Sequence, residues 1–139
     1  MPSSLRAVVL LAGTNNIEAN SPWAVCAGMR KVIEHIQAER SGLFVGVLAV
    51  LPRRPGPFAR GLTEGELMIR VDSLNQGLRS LVSCMPRVFY EDACWHELCD
   101  SSRKGLMNTQ FFADYVYLNR RGYAVLTAAI MRLLRFLNH

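Results

Sequence analysis

Ala7-Val8-Val9-Leu10-Leu11-Ala12-Gly13-Thr14-Asn15-Asn16-Ile17 decides how the chain is read. The apolar residues run without alternation and stop at a glycine. That is the pattern of a strand covered on both faces, as in a parallel sheet between layers of helices. The polar residues fall just past its carboxyl end, where open α/β sheets place their ligands. Gly13 permits a sharp turn there, and Asn15 and Asn16 offer amide donors at the strand tip. The same residue types also suit an ordinary turn and helix cap.

Working outward, Ser21-Pro22 predicts a helix start, with Ser as N-cap and Pro at the first helical position. Cys26, Met29, Ile33 and Ile36 repeat at helical steps to about Arg40, where Ser41-Gly42 predicts a left-handed stop. Leu43 to Leu51 reads as a second buried strand closed by Pro52, and Arg53 to Leu62 as an exposed loop. Thr63-Glu64-Gly65-Glu66 has the form of a capping box. Leu67, Val71, Leu74, Leu78 and Leu81 then share one helical face, and Met85-Pro86 ends the helix. Arg87 to Tyr90 is a short third strand. Glu91 to Ala113 shows no sustained period and reads as a long loop with room for one helical turn. Asn119 caps a terminal helix whose apolar face is Tyr123, Leu126, Ile130, Leu133, Leu134 and Leu137. The alternation predicts an α/β fold with a parallel sheet.

With 139 residues, half of them hydrophobic, the chain reads as a single domain, 1–139, with one real core. No apolar run is long enough to span a bilayer, and residues 1–6 lack the order of a signal peptide, so a cytoplasmic product is expected. The net charge is +5, and 14 of the 16 basic residues are arginine, scattered along the chain. Without basic clusters interleaved with aromatics, nucleic acid is not the expected partner. Cys26, Cys84, Cys94 and Cys99 match no disulfide framework. Cys94, His96 and Cys99 are close in sequence, but no further pair completes a zinc site. Free thiols are expected, with no metal and no cofactor. Trp23, Trp95 and Phe111-Phe112 read as core or loop anchors.

Two stretches resemble conserved blocks of the SGNH (GDSL-type) hydrolases. Val8 to Asn16 is similar to the third block, a strand ending in Gly-x-Asn-Asp. Asp114-Tyr115-Val116-Tyr117-Leu118-Asn119-Arg120-Arg121-Gly122-Tyr123 is similar to the last block, Asp-x-x-His-Leu-x-x-x-Gly-Tyr. Val47 to Arg53 resembles the strand-to-loop step between them in platelet-activating-factor acetylhydrolase-like members. The resemblance implies a three-layer, flavodoxin-like fold, N-terminally truncated to about three strands and three helices. It also implies an activity, attack on a small ester by a Ser whose proton passes to a His oriented by an Asp. Carried over by position, Asn15 is the oxyanion donor and Asp114 the orienting acid. Such donors meet charge that exists only in the transition state.

The chain departs from the family pattern in three ways. No Gly-Asp-Ser occurs in it, Tyr117 stands at the catalytic His position, and Asn16 stands where Asp is usual. A phenol with an ordinary pKa near 10 is a poor base at neutral pH. Ser101 and Ser102 form a hydroxyl pair without a His placed to serve them, although His96 lies in the same loop. The expectation is an esterase-like domain that is inactive as it stands. The alternative is a non-catalytic protein or nucleic-acid interaction module, of the kind found in mobile-element proteins. A flavodoxin-like anion binder lacks the Gly-rich phosphate loop it would need. Without the family's first strand beside it, Val8 to Ala12 is expected to form an apolar edge that invites self-association.

Overall fold

Phe44-Val45-Gly46-Val47-Leu48 is the strand around which the rest is layered. The computed structural model describes residues 6–14, 16–57, 61–100 and 106–137. Within them, β1 (Ala7–Leu10), β2 (Phe44–Leu48) and β3 (Val88–Glu91) form one parallel sheet in the order β1-β2-β3. The helices are α1 (Pro22–Glu39), α2 (Glu64–Ser83), α3 (Ala93–Leu98) and α4 (Arg120–Leu137), with a 3-10 turn at Thr109–Phe111. The fold is therefore α/β with a parallel sheet, as the alternation predicts.

Because strand side chains alternate, β2 feeds two cores. Val45 and Val47 point into one, with Met29 and Ile33 of α1 and Leu67, Val71, Leu74 and Leu78 of α2. Leu48 belongs to the other, with Leu98 of α3 and Leu126, Ala129 and Leu133 of α4. Each fully buried Val or Leu contributes about 1.5–3 kcal/mol relative to exposure.

Local signals account for most element ends. Ser21 Oγ accepts from the Ala24 N–H at 3.1 Å, with Pro22 opening α1. At α2, Thr63 Oγ1 accepts from Glu66 N–H at 3.1 Å while Glu66 Oε2 accepts from Thr63 N–H, so both halves of the capping box form. Asn119 Oδ1 accepts from Gly122 N–H at 3.0 Å and caps α4.

Several details differ from the sequence reading. The strand at Ala7–Leu10 is packed on both faces, Leu10 against one core and Ala7 and Val9 against the other, but only half-buried, because it lies at the sheet edge. The second strand is shorter than Leu43 to Leu51, although residues 49–53 stay buried beyond it. α1 stops at Arg40 in an extended conformation, and Gly42 supplies no left-handed cap. Among the described residues there are four helices where about three were expected, since α3 forms within the stretch read as a long loop with room for one helical turn. Six residues are too few for a period to show. On α4, Tyr123 is exposed, and the small residues Gly122 and Ala129 take the buried face. A Cβ at Gly122 would lie 2.1 Å from the Phe111 carbonyl oxygen, so the helix meets the 3-10 turn there through a bare backbone. Trp23 is no core anchor, being 81% exposed, whereas Trp95 packs against the first core and Phe112 is buried in the second.

Candidate functional site

Three segments gather at the carboxyl ends of the strands: the turn after β1, residues 50–57 after β2, and the loop 114–117 before α4. Gly13 has φ +102°, a conformation other residues adopt with strain, and its carbonyl accepts from the amides of Asn16 and Ile17 at 3.2 Å each. The strand run therefore ends in a tight turn, with Asn16 exposed at its tip. Asn15, the expected oxyanion donor, lies outside the described residues, as do Ser101 and Ser102.

Arg53 ties the three segments together. It is 3% exposed, and such a charge is tolerated only when paired and hydrogen-bonded. Its Nη2 pairs with Glu18 Oε1, its Nη1 donates to the Thr14 carbonyl at 2.7 Å, and its Nε donates to the Arg54 carbonyl at 3.3 Å. The guanidinium carbon sits 5.7 Å from the Tyr115 ring centroid. Glu18 Oε1 also accepts from Gly56 N–H at 2.9 Å, and the Arg54 amide donates to the Tyr115 carbonyl at 2.9 Å. From α2, Arg70 Nη1 reaches the carbonyls of Ile17 and Glu18 at 3.3 and 3.1 Å. The buried Asn75 clamps the end of β2, accepting from Val50 N–H at 2.7 Å and donating to the Val50 carbonyl at 3.0 Å.

In the 114–117 loop, Asp114 Oδ1 accepts from the amides of Tyr117 and Val116 at 2.7 and 2.9 Å. These two backbone bonds, Tyr117's the stronger, hold its carboxyl below the usual carboxylate value although the side chain is fully exposed. Asp114 thus organises its own loop. Tyr117 is 63% exposed, and no hydrogen bond links its hydroxyl to Asp114 among the described residues. His96 is on the outer side of α3, its Nε2 3.8 Å from Asp92 Oδ2. It lines a groove of about 530 Å³ with Met68, Asp72, Trp95 and Cys99. A second groove, of about 310 Å³, runs from Gly13 and Asn16 along β1 and α1 and shares no lining residue with the first. Burial pushes the Cys94 and Cys99 thiols up to about 11, with Glu91 and Asp72 respectively adding to it. Among the described residues, no three His, Cys, Asp or Glu side chains are placed to hold a metal ion. Nor is any described helix long and apolar enough to cross a membrane.

The site therefore joins the turn beginning at Gly13 to the Asp114 loop through residues the sequence reading gave no role: Glu18, Arg53 and Tyr115. The signal available was Pro52-Arg53 directly after a buried strand, since a charge that close to an apolar run requires a partner.

No family model matches the sequence, and no curated protein does. Solved structures do. The chain is similar to a protein of Streptococcus pneumonia assigned as a platelet activating factor, with TM-score 0.80 and 18% identity over 95% of this chain and 61% of that one. It is similar to a GDSL-like lipase of Bacteroides thetaiotaomicron, with TM-score 0.78 and 20% identity over 93% and 62%. It is also similar to a protein of Bacteroides fragilis assigned as an acylhydrolase, with TM-score 0.77 and 18% identity over 94% and 62%. The fold is that of the GDSL-like hydrolases, and the chain spans about 61–62% of the length of these neighbours.

Proposed function

We propose that this chain is a GDSL-hydrolase-type scaffold that keeps the turn after its first strand and the Asp-bearing loop but does not hydrolyse esters by itself. One observation carries the reading. Arg53 pairs with Glu18 of the turn after β1 and lies over Tyr115 of the Asp114 loop, so it joins the two motif-bearing loops, yet the residue three after Asp114 is an exposed Tyr. Ester hydrolysis by the Ser route needs a base within hydrogen-bond reach of a nucleophile, with a pKa near the working pH. Tyr117 puts an exposed phenol where the resemblance expects that base, and the sequence contains no Gly-Asp-Ser. In this reading Asn15 and Asp114 hold positions inherited from a hydrolase, and the loops serve as a rigid surface.

A fluorophosphonate probe, which esterifies activated serines, tests this. The purified chain and its Tyr117→His variant are expected to remain unlabelled. Stoichiometric labelling of the unaltered chain at a single serine would overturn the reading.

A further inference from the structure

We propose that the groove between α2 and α3 is a binding site for a small primary amine carried on an aromatic body. Met68, Ile69 and Asp72 lie three, four and seven residues after Gly65, so all four share one face of α2. Opposite them are Trp95 and His96 of α3 and Cys99 at its end. The far wall is set by backbone pairing. Cys99 bridges Met107, the Asp100 amide donates to the Leu106 carbonyl at 2.6 Å, and the Asn108 amide donates to the Leu98 carbonyl at 2.9 Å. These bonds place Leu106 beside the end of α3. The space enclosed, about 530 Å³, is of the size that holds small ligands, and no residue of β1 or α1 lines it.

The walls are apolar apart from one charge. Met68 is 4% exposed, Trp95 and Leu106 are half-buried, and Ile69 is exposed at the rim. Among the described residues that line the groove, Asp72 is the one carboxylate and there is no Lys or Arg, in a chain of net charge +5. Asp72 Oδ2 accepts from Gln76 Nε2 at 2.9 Å, and among the described residues no Lys or Arg pairs with Oδ1. The charge is felt inside the groove, where burial first and Asp72 second push the Cys99 thiol up to about 11. Cys99 is therefore an un-ionised, weak acceptor at neutral pH.

Sign and shape together select the occupant. A carboxylate at the side of an apolar slot attracts a cation and repels an anion. A bare inorganic cation would gain nothing from Trp95, Met68 and Leu106, and no three described side chains are placed to hold one. An aromatic ring packs well against an indole and a thioether, and an ammonium on the same molecule donates to Oδ1. Gly65 keeps the mouth open. Glycine is a poor helix former, and no contact demands it there, since a Cβ would meet nothing within 4 Å.

Phenethylamine, phenethyl alcohol and phenylacetate share one ring and differ in charge, so they separate the two contributions. Each is titrated into the 139-residue chain at neutral pH and read by proton–nitrogen correlation of the indole N–H groups. Trp95 reports on the groove, Trp23 on α1 is the control, and Trp23→Phe assigns the two signals. The amine is expected to move the Trp95 signal saturably with a Kd on the order of 1 mM. It should bind about 5-fold tighter than the alcohol, as an exposed ion pair allows, with phenylacetate weakest. Asp72→Asn should bring the amine down to the alcohol, and Gly65→Leu, which fills the mouth, should weaken both. The absence of a saturable Trp95 shift up to about 20 mM amine would overturn the proposal. So would an amine that binds no better than phenylacetate, a preference that survives Asp72→Asn, or a response to a basic peptide alone. The groove shares no lining residue with the turn after β1 or the Asp114 loop, so the result does not depend on whether that site hydrolyses anything.

Discussion

Replacing Arg53 by Met is the most informative perturbation of the scaffold. The arginine is 3% exposed, and its loss strips Glu18 of its cation while leaving the Gly56 amide as a donor to Oε1. Removing one partner of a buried pair costs about 3–5 kcal/mol, because the other charge stays desolvated. Glu18 retains 22% exposure, which puts the loss near the lower limit, about 3 kcal/mol. For a chain of this size that corresponds to a fall in Tm of roughly 10 °C. Urea unfolding by fluorescence, run on Arg53→Met, Glu18→Gln and the double variant, separates the pair from mere packing. The double variant is expected to be less destabilised than the sum of the single ones by about 1.5–3 kcal/mol, since neither charge is then orphaned. A loss below about 1 kcal/mol for Arg53→Met, or strict additivity, would refute a buried pair that holds the loops.

Other consequences can be checked separately. Asn75→Ala leaves both polar groups of Val50 without partners and is expected to cost about 2–4 kcal/mol in urea unfolding; a loss under about 0.5 would show that water replaces the clamp. Asp114 titrates below 3.8, so its contribution is complete above the unfolded value and lost as pH falls through the lowered folded one. The Val116 and Tyr117 amide shifts should follow that midpoint in an NMR titration and lose it in Asp114→Asn, and a midpoint at or above 3.8 would contradict the loop geometry. With a thiol reagent at about pH 8, exposed Cys84 should react first and buried Cys94, pushed up to about 11, only on unfolding. Prompt modification of Cys94 would mean that the second core is open.

The parts of this architecture that were legible in the sequence are those fixed by local chemistry. The Ser21-Pro22 start and the Thr63–Glu66 box are self-contained signals, and both form. The glycine at the end of the first strand marks a turn for the same reason: few other residues hold φ +102° without strain. What stayed hidden depends on contacts distant in sequence. Nothing local to Glu18 says that Arg53, 35 residues on, will pair with it. Helix α3 is too short for a period, and its N-cap residue, Asp92, makes no capping bond. Tyr123 has the spacing of a core residue, but α4 approaches the 3-10 turn so closely that Gly122 occupies the contact and Tyr123 turns to solvent. Leu133 shows the opposite limit. It is correctly assigned to the core by period alone, yet only the fold reveals that β2 accommodates it through the missing side chain of Gly46, where a Cβ would lie 2.5 Å from Leu133 Cδ2.

The central claim is a hydrolase scaffold without hydrolysis, and the rate of p-nitrophenyl acetate cleavage tests it most directly. Exposed Cys84 is first blocked, because a thiol turns over this ester without any designed site. The account predicts a rate equal to buffer for the unaltered chain, for Asn15→Ala and for Tyr117→His. Saturable cleavage by the unaltered chain that drops about 100-fold or more in Asn15→Ala, the loss typical of an oxyanion donor, would contradict it.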